Sequence, residues 1–173
     1  MINIEEKTAV SVSVVMGSDS DLPVMAETTQ ILDTFNIPYE VFLTSAHRST
    51  ERTSSFARQA AQRGLKVIIV GAGAAAHLAG VIASQTILPV IAVPLETTSL
   101  MGLDALLSTV QMPGGIPVAT MAIGRAGAKN AALLAIRILA LNDEGLRGKL
   151  QAYIEDMARE VEKKQEDISC QKS

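Results

Sequence analysis

Five short apolar runs, each followed by a segment carrying helix signals, constrain this chain more than any other feature. The runs cover residues 9–16, 39–43, 66–70, 90–93 and 118–123. The clearest is Lys66-Val67-Ile68-Ile69-Val70, a continuous β-branched stretch suited to a strand buried on both faces. Pro23 just after Ser20 and Asp21 marks a helix start, and Asn36-Ile37-Pro38 marks its end near Phe35. Gly64 is placed to cap a second helix that begins near Glu51. A third helix is expected to open on the glycines after Val70 and to reach Thr86, with Pro94 closing the fourth strand. Further helices are expected over residues 104–110, 126–141 and, after a break at 142–145, 146–166. Parallel strands require crossover connections, and helices supply them here. The expected fold class is therefore α/β. It is a three-layer sandwich with a five-stranded parallel sheet in flavodoxin-like order 2-1-3-4-5, plus a C-terminal helix. With no internal repeat and no linker, residues 1–173 are expected to form a single α/β domain with a charged C-terminal helix and tail.

Composition removes several classes of function. Hydrophobic residues make up 48% and charged residues 19%, which excludes a disordered chain. The net charge of -3 carries no electrostatic footprint for nucleic acid. No apolar run is long enough to span a bilayer, and residues 1–8 mix both charge signs without a signal-peptide core. The single cysteine, Cys170, fits a reducing, cytoplasmic setting. Aromatic residues are only 3%, while alanine and glycine crowd the second half, so some apolar surface is expected to be buried between subunits.

In the expected strand order three unusual loops meet at one end of the sheet. The first, Gly17-Ser18-Asp19-Ser20-Asp21, precedes a helix N-terminus, where backbone N–H groups favour anions. Its carboxylates would repel phosphate, so one suits sugar hydroxyls, or either caps the helix. The second, Thr44-Ser45-Ala46-His47-Arg48-Ser49-Thr50, sets a proton carrier beside a group that forks onto phosphate. The alternative is that His47 caps a helix and Arg48 stands in solvent. In the third, Gly71-Ala72-Gly73, the glycines allow either close backbone approach to a ligand or tight helix packing. His77 reads first as a polar core or interface residue. His47 and His77 have no paired-ligand spacing and no cysteine between them, so no metal site is expected.

Taken together, Gly-Ser-x-Ser-Asp, Ser-Ala-His-Arg and Gly-Ala-Gly-x-Ala-Ala-His-Leu resemble the class I form of the PurE family, the N5-carboxyaminoimidazole ribonucleotide mutases. Gln111-Met112-Pro113, the following Gly-Ile-Pro-Val-Ala-Thr, and Ala-Ile-Gly-x-Ala-Gly-Ala-x-Asn-Ala-Ala-Leu-Leu strengthen it; the resemblance spans residues 10–141. It implies a cofactor-independent step of de novo purine synthesis, moving a carboxylate from the exocyclic nitrogen of a ribonucleotide to a ring carbon. It also implies a homo-octamer with sites at subunit contacts. An ATP-dependent carboxylating enzyme would act upstream as a separate protein. By position, Ser18 and Arg48 would face the phosphate and Asp21 the ribose, with Ser20 and Ser45 lining the site. His47 would be the acid/base, and Gly71, Gly73, Ala74 and His77 would surround the migrating carboxylate, with His77 in support. The sequence departs from the family where Ala79 replaces a usual proline, and where Gly114 replaces a commoner charged or bulky residue. Two rivals stand beside this reading: a direct carbon-dioxide-using carboxylase, whose class tends to carry Lys at the position of Arg48, and a non-catalytic mononucleotide-binding module.

Overall fold

The computed structural model describes residues 10–170. The expectations for residues 1–8, for Ala9 at the start of the first strand, and for the end of the tail lie outside the described residues. The strands are β1 (Val12–Met16), β2 (Tyr39–Leu43), β3 (Val67–Gly73), β4 (Val90–Leu95) and β5 (Ala119–Thr120). The helices are α1 (Leu22–Thr34), α2 (Thr50–Ala60), α3 (Leu78–Ala83), α4 (Leu103–Val110), α5 (Gly124–Leu139) and α6 (Glu144–Cys170). The sheet is parallel throughout, in the order β2-β1-β3-β4-β5. The α/β reading with order 2-1-3-4-5 is therefore the observed one.

Burial explains which runs became interior strands. β1 and β4 are wholly buried and β3 is buried up to Gly73, whereas edge strand β2 is half-exposed. Side chains alternate between faces along a strand. On one face Val15, Ile68, Val70 and Ala92 join Phe56 and Ala60 of α2, Leu78 and Ile82 of α3 and Ala105 of α4 in one apolar cluster. On the other face Met25 of α1 packs on Gly71, and α1 is tied to α5 by Thr28, whose hydroxyl donates to the Ala128 carbonyl at 2.9 Å. Each fully buried Val or Ile contributes roughly 1.5–3 kcal/mol of apolar transfer energy.

Several boundaries differ from expectation, α3 for one covering only Leu78–Ala83 and ending short of Thr86, and those of β3, β4 and β5 differ for local reasons. β3 does not stop at Val70 but runs through Gly71-Ala72-Gly73, so the glycines end a strand instead of opening a helix. Gly71 pairs with both Met16 and Val93, and Gly73 pairs with Leu95. β4 passes through Pro94 to Leu95. The Ala92 carbonyl accepts from Met121 N on the β5 side at 2.8 Å. Pro94, two residues on, faces the same side where β5 has already ended, so its missing N–H removes no ladder bond. β5 itself is two residues long instead of six, because Gly124 at φ +74° turns the chain into α5 soon after Met121.

Residues through Ala135 form one compact unit, and those from Ile136 on form a second. In the second, α6 starts at Glu144 rather than Leu146. The Asp143 carboxylate accepts the Leu146 N–H at 2.9 Å and caps the helix there. Arg147 closes the preceding turn on the carbonyls of Ala140 and Leu141 at 3.4 and 3.3 Å. No helix among the described residues is long and apolar enough to cross a membrane.

Candidate active site

The loops leaving the carboxyl ends of β1, β2, β3 and β4 enclose one cavity of about 330 Å³. Open α/β sheets place ligands at this end, where neighbouring connections diverge to opposite faces. Eight of the ten residues singled out in the sequence line it: Ser18, Ser20, Asp21, Ser45, His47, Arg48, Gly73 and His77.

The first wall is the turn after β1. Ser18 adopts an extended conformation and forms a reciprocal capping box with Asp21. The Ser18 N–H donates to Asp21 Oδ2 at 3.1 Å, and Ser20 Oγ donates to Ser18 Oγ at 2.8 Å. Asp21 is 5% exposed. Burial pushes its carboxyl above the ordinary value of 3.8; N–H groups of Ser18 and Gly17 pull the other way, and Asp19 nearby adds a push upward. The capping and ligand-binding readings of Asp21 are thus compatible: one residue holds the turn and presents a carboxyl to the cavity.

The second wall is the turn after β2. Ser49 Oγ accepts the Ser45 N–H at 2.9 Å, Ser45 Oγ accepts the Arg48 N–H at 3.2 Å, and Ser49 N donates to the Ser45 carbonyl at 3.0 Å. Thr44 and Thr53 bond below it through their hydroxyls at 2.9 Å. This network presents His47 and Arg48 on a tight, exposed corner. The Arg48 guanidinium reaches the Gly17 carbonyl at 3.3 Å, linking the second loop to the first and leaving most of its donors available.

The third wall follows β3. Ala74 takes a left-handed φ of +52° and ends the strand, and His77 precedes the first turn of α3. Of the two readings of His77, polar core or interface, exposure in this chain excludes the core, and its Nδ1 lies 2.9 Å from Nε2 of His47. The two rings meet edge to face at 87°. Gly71 does not reach the cavity. A Cβ there would lie 2.5 Å from Met25 Sδ, so this glycine serves the packing of α1 on the sheet. Ala74 also falls outside the lining, and Ala75 and Ala76 supply the apolar wall instead. Sequence reasoning missed Thr97, two residues past β4, which lines the cavity from the fourth loop. Its only sequence signal was its place in the Thr-rich loop after Pro94. Among the described residues no group of three His, Cys, Asp or Glu is placed to hold a metal ion.

Fold and site define a class: a flavodoxin-like α/β protein with an imidazole pair and a guanidinium facing one cavity at the strand ends. The model of the AIR carboxylase family matches residues 11–160, and the chain belongs to that family. It is 58% identical over 153 residues to the N5-carboxyaminoimidazole ribonucleotide mutase of Pyrococcus horikoshii, covering 88% of this chain and 85% of the relative. The Thermotoga maritima protein of the same name is 53% identical over 150 residues, covering 87% of this chain and 86% of the relative. Treponema denticola PurE has the same fold, with a TM-score of 0.79 at 32% identity over 88% of this chain and 94% of its own.

Proposed function

We propose that this chain catalyses the reaction for which its relatives are named. It is an isomerase that moves the carboxylate of N5-carboxyaminoimidazole ribonucleotide from the exocyclic nitrogen to the ring, giving 4-carboxy-5-aminoimidazole ribonucleotide in purine biosynthesis. The observation that carries the site assignment is the contact of His47 with His77 at the mouth of a cavity that also holds Arg48.

Substrate binding divides over the walls. Arg48 and Ser18 take the phosphate, with Ser20 and Ser45 beside them, and Asp21 accepts from the ribose hydroxyls. Charge-assisted bonds from a guanidinium suit the phosphate. The aminoimidazole then lies toward His47, Gly73 and the Ala75-Ala76 wall.

His47 starts as the imidazolium. As the bond between the exocyclic nitrogen and the carboxyl carbon breaks, His47 gives its proton to that nitrogen, releasing carbon dioxide and aminoimidazole ribonucleotide within the cavity. The small apolar wall retains the gas. The ring carbon attacks it, and neutral His47 removes the proton displaced from that carbon, which restores the imidazolium. Atoms and charge balance over the cycle, and no cofactor enters. A single group acting first as acid and then as base is worth about 10² to 10⁴ in rate. His77 supports it by accepting from His47 through Nδ1 whenever His47 is charged.

The small-residue content and the exposed Leu100, Met101, Leu103 and Leu107 support assembly into a homo-octamer, with sites completed by neighbours. A cytoplasmic setting, with an ATP-dependent carboxylating enzyme as a separate upstream partner, completes the reading. The test is turnover of N5-carboxyaminoimidazole ribonucleotide measured beside aminoimidazole ribonucleotide plus bicarbonate. Conversion of the first without added bicarbonate is expected. Conversion of only the second assigns the protein to the direct carboxylases.

A further inference from the structure

Thr97 and Thr98 are neighbours with opposite fates. The Thr98 hydroxyl is engaged both ways: it donates to Asp104 Oδ2 at 2.8 Å and accepts the Leu100 N–H at 3.1 Å. Its carbonyl accepts from Met101 N at 3.2 Å. These bonds, with Gly102 at φ +82°, fix the turn between β4 and α4. The Thr97 hydroxyl has no protein partner among the described residues, yet Thr97 lines the cavity. It lies directly over Gly73. A Cβ on Gly73 would overlap the threonine, with Thr97 Cγ2 at 2.5 Å and Thr97 Cβ at 2.8 Å. Gly73 is thus a residue without a side chain because Thr97 occupies that space.

The position of this hydroxyl suggests its ligand. The serine hydroxyls of the cavity, from Ser18, Ser20 and Ser45, belong to the first two loops with Arg48. Thr97 stands instead by Gly73, on the wall shared with His77, Ala75 and Ala76. A polar group on that wall meets the reacting end of the substrate and not its phosphate. The migrating group is a carboxylate, an acceptor in need of donors.

We propose that Thr97 is a substrate-contacting specificity residue whose Oγ1 donates a hydrogen bond to the migrating carboxylate. This rests on the mutase reading given above. Thr98 holds the turn, Gly73 clears the space, and Thr97 recognises the carboxylated nucleotide over its decarboxylated form.

The test compares the wild-type protein with Thr97→Val and Thr97→Ser by titration calorimetry. The probes are 4-carboxy-5-aminoimidazole ribonucleotide and 5-aminoimidazole ribonucleotide, which lacks the carboxylate. Thr97→Val keeps the shape and removes the donor. It is expected to weaken the carboxylated ligand about tenfold, as loss of a hydrogen bond to a charged group does. Affinity for the decarboxylated ligand should stay at the wild-type value, and Thr97→Ser should bind both as the wild type does. Equal weakening of both ligands by Thr97→Val, or no weakening of either, overturns the role of Thr97. Failure of the wild-type protein to bind either nucleotide instead overturns the mutase reading, and this inference with it.

Discussion

Nε2 of His47 and Nδ1 of His77 lie 2.9 Å apart, although thirty positions separate the two residues. Only one hydrogen can lie on the line between two ring nitrogens. One imidazole must therefore accept while the other donates. The pair holds a single positive charge with the contact intact, and a second proton sets N–H against N–H. In the proposed mechanism, where His47 is acid and then base, the contact gives its charged form a ready acceptor.

Replacing His47 with Asn is expected to reduce turnover by about 10² to 10⁴ while leaving nucleotide affinity largely unchanged. Steady-state kinetics beside calorimetry check this, and near-normal kcat removes His47 from the chemistry. His77→Leu should lower kcat roughly 10- to 100-fold, the value of a hydrogen bond to a charged group. His77→Asn, which retains an acceptor, should recover part of that loss.

Arg48→Ala is expected to weaken binding of phosphorylated ligands roughly 10- to 100-fold, again the scale of a charged hydrogen bond. Ribose 5-phosphate is a sufficient probe. Arg48→Lys should restore only part of the affinity, because a point charge does not reproduce the planar fork. Unchanged affinity in the alanine variant would refute the phosphate grip.

Asp21 ties stability to pH in an unusual direction. Its carboxyl is raised above 3.8 by burial, so the folded chain holds this proton more tightly than the unfolded chain does. The stability it contributes is fully present below 3.8 and is lost as pH rises through the folded value. Above the folded value the buried charge opposes folding. Asp21→Asn should therefore be at least as stable as wild type at neutral pH, with its advantage shrinking toward acid, and should bind nucleotide more weakly. Thermal denaturation across pH measures this. A variant less stable at neutral pH, by a margin that does not change with pH, contradicts it.

The glycines separate by what surrounds them. Gly114 has open space at the Cβ position and no left-handed φ, so Gly114→Ala should raise unfolding free energy by about 0.4–1 kcal/mol. Gly115, at φ +97°, should lose stability on the same change. Gly71→Ala forces Met25 aside and should cost about 1–3 kcal/mol as overpacking, with ligand affinity retained. Urea titrations rank the three, and a stabilised Gly71→Ala would show that Met25 repacks freely.

Much of the architecture was legible in the residue order. β-branched runs at intervals of helix length admit few arrangements, and the crossover requirement made them parallel. Tyr39–Leu43 was placed to the residue, because Pro38 and the polar Thr44–Thr50 turn bracket it on both sides. The strand ends were less legible. The extension of β3 through Gly71 and Gly73, and of β4 through Pro94, depends on which neighbours still offer a ladder there.

Sequence by itself determined which residue types the loops offer: a histidine beside an arginine, serines with aspartates, and a run of glycine and alanine. Local spacing carried that information because each loop is a short continuous segment. Tertiary structure alone decided that His77 bonds His47, that Gly71 serves Met25, and that Thr97 stands over Gly73. These relations join segments distant in the chain, and their distances depend on the order and register of the strands beneath them. No local pattern encodes which side chain fills the space that another leaves open.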